Sequence, residues 1–430
     1  MSILIKNANI IPMTEANSVI EKGYLVIEDD RITAVGSQEP PTGNYNQIID
    51  ATNNLVLPGF VNAHTHAAMT LLRGYADDLP LMEWLETKIW PLEAKLTKED
   101  VYWGTMLAIV EMIKSGTTCF ADMYFFMDQA AQAVEDSGIR AVLSRGMVGL
   151  GPENQQALKE SRELVRDWSG KAQGRITFKL GPHAPYTCPP DYLHKVMALA
   201  AELNVGLNIH IAETLTEFED IKRIYGRTPV AHLDHLGLFA YPTVGAHCVH
   251  ITEEEIQILA QHKVGVVHNP ESNMKLASGI APVPAMLKAG IPVALGTDGA
   301  SSNNNLDMLQ EMRSCALLHK VNSCDPTVIP AYKALEMATV NGGQALGLPE
   351  VGILKPGFKA DLILVSLQEA HMIPRYDIIA NLVYAGQAAD VQTVIINGQI
   401  VMENRIIKTF DEENVLTQAK RAAERLVKQV

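Results

Sequence analysis

Apolar and polar residues follow three different patterns along the chain. Residues 1 to about 57 hold short apolar clusters, such as ILIKNANIIPM and GYLVIEDDRITAVG, and Asn, Asp and Gly interrupt them. That pattern predicts short strands joined by turns. From about 58 to 350, short apolar runs that end in polar residues alternate with longer stretches of helical spacing. The alternation of strand and helix predicts a parallel α/β barrel.

Eight apolar runs in this middle stretch predict strands, which is the number that a closed (β/α)8 TIM barrel requires. They are LPGFVNAHTH, TTCFADM, IRAVLSRG, ITFKLGPH, VGLNIHIAE, TVGAHCVH, VGVVHNP and IPVALGTD. The intervening stretches, such as YWGTMLAIVEMIKSG, predict the outer helices. Functional residues of such a barrel lie at the C-terminal ends of its strands.

Strand character returns near residue 351 in KPGFKADLILV and VQTVIINGQIVMEN. The terminal segment DEENVLTQAKRAAERLVKQV predicts an amphipathic helix that begins at Asp411. Because the two β-rich ends flank the barrel, we expect residues 1–57 and 351–430 to form one composite β-sandwich domain with a C-terminal helix. Residues 58–350 then form the TIM barrel.

The composition is that of a folded globular protein, with 47% hydrophobic and 20% charged residues among 430. Its 49 acidic and 35 basic residues give a net charge of -14, which disfavours nucleic acids and anionic membranes as partners. A free small molecule is therefore the expected partner. No secretory signal or membrane span is recognisable, so we expect a cytoplasmic protein whose five scattered cysteines are reduced.

Four metal-ligating side chains follow predicted strands. His64 and His66 are two residues apart on the first strand, so both imidazoles point to the same face. His210 ends the fifth strand and Asp298 ends the eighth. Nitrogen and oxygen ligands that converge at a barrel mouth suit a catalytic zinc ion.

Six segments resemble motifs of the amidohydrolase superfamily, in its deaminase branch. They are PGFVNAHTHAAMTLLRG, GPHAPYT, NIHIAET, GAHCVH, HNPESNMKLASG and LGTDGASSNNNLDM. Within that branch the chain resembles the 5-methylthioadenosine/S-adenosylhomocysteine deaminase family over essentially its whole length. The resemblance implies that His64, His66, His210 and Asp298 hold one ion of zinc or a similar divalent metal. Relatives with two metals carry a modified lysine at the end of the fourth strand, whereas Lys179 lies four residues before His183 and thus too deep to bridge metals.

The resemblance also implies a reaction, the hydrolytic deamination of an adenine ring. A divalent ion lowers the pKa of a bound water to about 7, and Asp298 can accept the proton. Glu213, three residues after His210, is the expected proton shuttle, although alone it would be read as a solvated loop acid. His247 is expected to orient the water or stabilise the tetrahedral intermediate. The catalytic residues are therefore expected to be Glu213, His247 and Asp298.

The expected substrate is a nucleoside with a thioether tail. By resemblance, Glu93 receives the ribose hydroxyls, His183 bonds the nucleoside, and Arg145 contacts the amino-acid carboxylate of S-adenosylhomocysteine. Arg140 competes with Arg145 for that last role. The full set of expected substrate-binding residues is Glu93, Arg145, His183, Glu213 and Asp298.

Other functions remain open at this point. A deaminase of adenosine, guanine or another nucleobase, or a triazine hydrolase, would share the metal site. A barrel that serves only as a scaffold is disfavoured because all of its ligand residues are present. No phosphate-binding glycine loop occurs in the sequence. The oligomeric state also stays open, and a homo-oligomer fits the commonest arrangement of soluble enzymes.

Overall fold

The computed structural model describes residues 2–151 and 154–428, and their strands form two sheets. The strands are β1 Ser2–Ile10, β2 Ile20–Glu28, β3 Arg31–Gly36, β4 Gln47–Asp50, β5 Asn54–Pro58, β6 Phe60–Thr65, β7 Thr117–Tyr124, β8 Arg140–Met147, β9 Ile176–Pro182, β10 Leu207–Ile211, β11 Thr243–His247, β12 Gly265–His268, β13 Val293–Leu295, β14 Leu362–Ser366, β15 Val391–Ile396, β16 Gln399–Glu403 and β17 Ile406–Ile407.

The described residues form seventeen α-helices, most of which lie between or after the barrel strands. They are α1 Leu81–Trp84, α2 Trp90–Glu93, α3 Lys98–Lys114, α4 Met127–Ser137, α5 Asn154–Trp168, α6 Lys171–Gly174, α7 Pro190–Leu203, α8 Leu215–Tyr225, α9 Pro229–His235, α10 Glu253–Gln261, α11 Pro270–Lys275, α12 Val283–Lys288, α13 Met308–Ser323, α14 Ala331–Met337, α15 Val340–Leu346, α16 Ile378–Tyr384 and α17 Glu412–Val427. A π-helical turn, Leu85–Ile89, joins α1 to α2, and 3-10 turns lie at Ala67–Leu72, Leu238–Ala240, Ala370–Met372 and Ala388–Asp390.

The barrel consists of β6 to β13, which lie in sequence order as neighbouring parallel strands. The predicted TIM barrel is confirmed. The last strand, expected to end at Asp298, ends at Leu295. Beyond it the chain turns, Asp298 takes a left-handed φ of 62°, and its N–H donates to the His64 carbonyl at 3.0 Å. Asp298 thus meets the first strand at the barrel mouth.

The two chain ends join, as predicted, in a second sheet outside the barrel. Antiparallel pairing of β5 with β14 connects the N-terminal strands to the C-terminal ones. The result is one hydrogen-bonded mixed sheet of nine strands, which forks where β1 pairs with both β4 and β5. One apolar cluster fills this part of the molecule, and it includes Ile3, Leu25, Ile27, Val56 and Leu362.

The C-terminal helix begins at the predicted residue, since the Asp411 side chain accepts a hydrogen bond from the Asn414 N–H at 3.1 Å. Its buried residues are Val415, Ala419, Ala422 and Leu426. The helix packs against the barrel helix α3, where Arg425 pairs with Asp100. The sequence pattern assigns this C-terminal helix to the composite domain of the chain ends, and in the structure its apolar face packs on the barrel. No helix in the described part of the chain has the length and hydropathy to span a membrane.

Candidate active site

A cavity of about 860 Å³ opens at the C-terminal mouth of the barrel. His64 lies in β6 with His66 just beyond it, His210 lies in β10, and Asp298 follows β13. Neighbouring loops and strand ends complete the wall. The predicted residues that line the cavity are His66, Glu93, Arg145, His183, His210, Glu213, His247 and Asp298. His64 lies beneath them with 1% of its surface exposed.

Three of the separations among the four ligand-type side chains match those expected around one metal ion. Asp298 Oδ1 is 3.5 Å from His64 Nε2 and 3.3 Å from His66 Nε2. His66 Nε2 and His210 Nε2 are 3.4 Å apart. Ligands about 2.0–2.1 Å from a central zinc ion would be about 3.3–3.4 Å from one another in tetrahedral geometry. The cluster therefore has the dimensions of a metal site.

Hydrogen bonds fix which imidazole nitrogen each ligand presents. His66 Nδ1 donates to the Met123 carbonyl and His210 Nδ1 to the His183 carbonyl, each at 2.7 Å. Nε2 of each ring is then an unprotonated acceptor that can bind a metal. Both nitrogens of His64 are buried without a hydrogen-bond partner among the described residues. Burial lowers the pKa of His64 to about 4, so this ring is neutral, as a ligand must be.

Two serines hold the other oxygen of Asp298. Ser272 Oγ donates to Asp298 Oδ2 at 2.7 Å, and Ser302 Oγ donates to the same oxygen at 3.0 Å. Burial opposes ionisation of Asp298, but the neighbouring His64 and His66 hold its pKa well below the usual value. Oδ1 is left facing the histidines. The cluster fits a divalent metal in both geometry and donor chemistry.

Glu213 and His247 lie side by side at the edge of the cluster. Glu213 Oε2 is 3.9 Å from His247 Nε2, and both side chains are buried. Burial raises the pKa of Glu213. Burial acts against protonation of His247, but the Glu213 and Asp298 carboxylates raise its pKa overall. His247 Nδ1 lies 2.9 Å from Asn273 Oδ1 and 3.2 Å from Asn269 Nδ2, and these two contacts fix the ring.

Glu217 holds the backbone on which Glu213 stands. Its two carboxylate oxygens accept hydrogen bonds from the N–H groups of Ala212 and Glu213, each at 2.9 Å. Glu217 itself is anchored at the start of α8, where Thr214 caps the helix and accepts from the Glu217 N–H at 3.1 Å. Burial raises the pKa of Glu217 to about 7, and the two backbone donors act in the opposite direction. The two hydrogen bonds to Glu217 fix a turn in which Ala212 has a positive φ of 50°.

Glu93 and His183, which also line the cavity, are held in place by neighbouring side chains. The Tyr124 hydroxyl donates to Glu93 Oε1 at 2.7 Å, and burial raises the pKa of Glu93. His183 Nδ1 bonds Thr187 Oγ1 at 2.9 Å. Each side chain thus has one polar group engaged and another free to face a ligand.

The match to known proteins agrees with this geometry. The model of the amidohydrolase family matches residues 55–401. The chain belongs to this family. A relative from Syntrophomonas wolfei subsp. wolfei, named 5-methylthioadenosine/S-adenosylhomocysteine deaminase, is 67% identical over 99% of this chain and 100% of its own length.

Solved amidohydrolase folds superpose closely on this one. A zinc-bound adenosine deaminase from Xanthomonas campestris has a TM-score of 0.94 and 35% identity over 99% of this chain and 98% of its own. A zinc-bound atrazine chlorohydrolase from Arthrobacter aurescens has a TM-score of 0.92 over 98% of this chain and 100% of its own. At 24% identity the second likeness shows the fold alone.

The structure of this amidohydrolase shows where the two competing arginines, Arg140 and Arg145, and the barrel lysine Lys179 lie. Arg140 bonds Asp361 through Nε at 2.6 Å and Nη2 at 3.1 Å, in a buried pair between barrel and sheet. Arg140 therefore joins the barrel to the second sheet and does not line the cavity, whereas Arg145 does. Lys179 points the other way, since a Cβ added to Gly206, just before β10, would be 3.0 Å from its Nζ. That amine lies at the end of the barrel opposite the histidines.

Several site residues escaped the sequence reasoning. Ser272 and Asn273 lie inside the quoted motif HNPESNMKLASG, and Ser302 lies inside LGTDGASSNNNLDM. The motifs mark these residues, but the sequence does not reveal that the two serines contact Asp298 or that Asn273 contacts His247. Tyr124 and Glu217 had no signal of their own, because one ends an apolar strand and the other is an acid in a polar helix.

Proposed function

We propose that this amidohydrolase removes the adenine amino group of 5′-methylthioadenosine and S-adenosylhomocysteine by hydrolysis. The products are 5′-methylthioinosine and S-inosylhomocysteine with ammonia. The observation that carries the reaction type is the buried Glu213 carboxylate beside a cluster of three histidines and Asp298 with the separations of metal ligands. The name of the 67% identical relative supports the substrate.

One zinc ion per subunit would be held by His64, His66, His210 and Asp298. Support comes from the neutral nitrogen donors, the matching separations, and the zinc in the Xanthomonas campestris structure. When bound, the ion supplies Lewis acidity, which makes water acidic enough to yield a nucleophile near neutral pH. Lys179 lies away from the cluster, which favours a single ion.

Three carboxyl and imidazole groups divide the proton transfers. Asp298 accepts a proton from the attacking water. Glu213, whose pKa is raised by burial, carries a proton to the ring nitrogen next to the amino-bearing carbon. His247, whose pKa is raised by the two carboxylates, donates a hydrogen bond from Nε2 to the oxygen on the tetrahedral carbon, without transferring its proton. The proton held by Asp298 then passes to the amino group, which leaves as ammonia, and the hydroxyl proton returns to Glu213 as the ring carbonyl forms.

The nucleoside would be held by side chains that line the cavity around the cluster. Glu93 would accept the ribose hydroxyls, with Tyr124 occupying its Oε1 and leaving Oε2 for the sugar. His183 would donate or accept at the base or sugar through Nε2, because Thr187 engages Nδ1. Arg145 would bind the carboxylate of the longer substrate. Glu213 and Asp298 would also contact the base.

A panel of substrates tests the proposal. Ammonia release and the change in purine absorbance would be compared for 5′-methylthioadenosine, S-adenosylhomocysteine, adenosine, guanine and a chlorotriazine with zinc-loaded protein. We expect both thioethers to have the highest kcat/KM. Activity confined to guanine or the triazine would contradict the substrate, and a clear preference for adenosine would move the assignment toward the Xanthomonas campestris neighbour.

A further inference from the structure

A pair of opposite charges lies at the rim of the cavity. Arg145, on β8, directs Nε to Glu160 Oε2 at 2.8 Å, and Glu160 lies on α5. Both side chains line the cavity, with 12% of Arg145 and 37% of Glu160 exposed. The pair therefore lies in the wall of the pocket and remains open to a ligand.

Neighbouring groups hold this pair in place from both ends. The Arg145 guanidinium carbon lies 5.1 Å from the centre of the Phe125 ring, and its Nη1 also bonds the Gly146 carbonyl. On the other side, Gln156 Nε2 donates to Glu160 Oε1 at 3.0 Å. Gln156 is one helical turn before Glu160 and lines the same cavity. Both charges are thus oriented before a ligand arrives.

Each partner keeps capacity for a further bond. A guanidinium has five N–H donors, and a carboxylate has about four acceptor positions. The contacts above use two donors of Arg145 and two acceptor positions of Glu160. The remaining capacity is a cationic donor next to an anionic acceptor. Free α-amino acids present the complementary arrangement, a carboxylate and an ammonium on one carbon.

We propose that Glu160 binds the ammonium of an α-amino acid tail on the substrate while Arg145 binds its carboxylate. The proposal rests on the proposed function, because S-adenosylhomocysteine is the thioether substrate that has such a tail. Glu160 thereby becomes a specificity-determining residue. A tail with an ammonium is favoured by Glu160, a tail with only a carboxylate meets its repulsion, and the uncharged methylthio tail leaves the pair bonded to itself.

Four thioether nucleosides separate these roles. They are 5′-methylthioadenosine, S-adenosylhomocysteine, an analogue whose tail has the ammonium alone, and one whose tail has the carboxylate alone. kcat and KM would be measured with zinc-loaded wild type, Glu160→Gln and Glu163→Gln. Glu163 is the matched control, because it lies one turn further along α5 and is absent from the cavity wall.

We expect Glu160→Gln to lower kcat/KM about tenfold for the two ammonium-bearing tails, mainly through KM, since a partly exposed charge-assisted contact is lost. For 5′-methylthioadenosine the change should stay below about threefold, and the carboxylate-only tail should improve as repulsion is removed. Glu163→Gln should behave as wild type.

Two other results would overturn the inference. If the carboxylate-only tail weakens with S-adenosylhomocysteine, Glu160 acts by holding Arg145 and not by binding the ammonium. If all four substrates change by the same factor, the residue has no role in specificity. Failure of the proposed function is a separate outcome, in which the wild type deaminates none of the four.

Discussion

Replacing Glu217 by Gln tests how the protein positions Glu213. The carboxylate accepts from two backbone N–H groups, those of Ala212 and Glu213, each at 2.9 Å. Glutamine keeps one acceptor oxygen and presents an amide that can only donate to the other position. One backbone N–H is then left facing a donor in a buried site.

The expected magnitude follows from those two bonds. Loss of a hydrogen bond to a charged group costs about 1.5–3 kcal/mol, and an unsatisfied buried donor costs about 1–3 kcal/mol. With partial relaxation of the turn we expect a cost of about 3 kcal/mol. If this cost is spent on holding Glu213 in its reactive position, kcat/KM decreases by about 100-fold, because about 1.4 kcal/mol corresponds to a factor of ten.

The assay is kcat/KM for 5′-methylthioadenosine, together with zinc content and the free energy of unfolding in urea. Glu219→Gln is the control, because Glu219 lies on the same helix and is exposed. Zinc content should remain unchanged in both variants. Activity within threefold of wild type, with a loss of stability below about 1 kcal/mol, would refute the view that Glu217 holds the shuttle.

Two further predictions concern stability. Burial lowers the pKa of the Lys179 amine from 10.5 to about 8. The unfolded chain therefore binds this proton more tightly than the folded protein does. Below pH 8 the charged amine lowers the free energy of unfolding by about 3 kcal/mol. Lys179→Met should therefore raise the free energy of unfolding at pH 7, and the gain should shrink between pH 8 and 10.5; an equal gain at all pH values would contradict this. Asp361→Leu should cost about 3–5 kcal/mol because it leaves the buried Arg140 unpaired, and Arg140→Met in the same chain should recover most of that loss. If Asp361→Leu alone is as stable as the wild type in urea, the second prediction is contradicted.

Much of the candidate site could be predicted because a parallel barrel brings strand ends together. His64, His66 and His210 follow apolar runs, so recognising the strands was enough to predict that they converge. The choice between Arg140 and Arg145 also had a usable signal. Arg140 begins β8 and so lies at the end of the barrel away from the mouth, whereas Arg145 is near the other end of the same strand.

Contacts between distant segments could not be predicted in the same way. Glu217 looks like any acid on the polar face of a helix until α8 folds back against the 212–213 turn. The C-terminal helix shows an apolar face in its sequence, but that face does not reveal that its partner is α3. Periodicity indicates which side of an element is buried, and the partner depends on the tertiary fold.

Ammonia release from 5′-methylthioadenosine by Glu213→Gln, with the zinc content of the same sample, is the decisive test of Glu213 as the proton shuttle. We predict one zinc ion per chain and a rate at least about 100-fold below wild type, since the ligands remain and the proton carrier is gone. A zinc-loaded Gln variant that releases ammonia at the wild-type rate would contradict the role of Glu213 and the mechanism built on it.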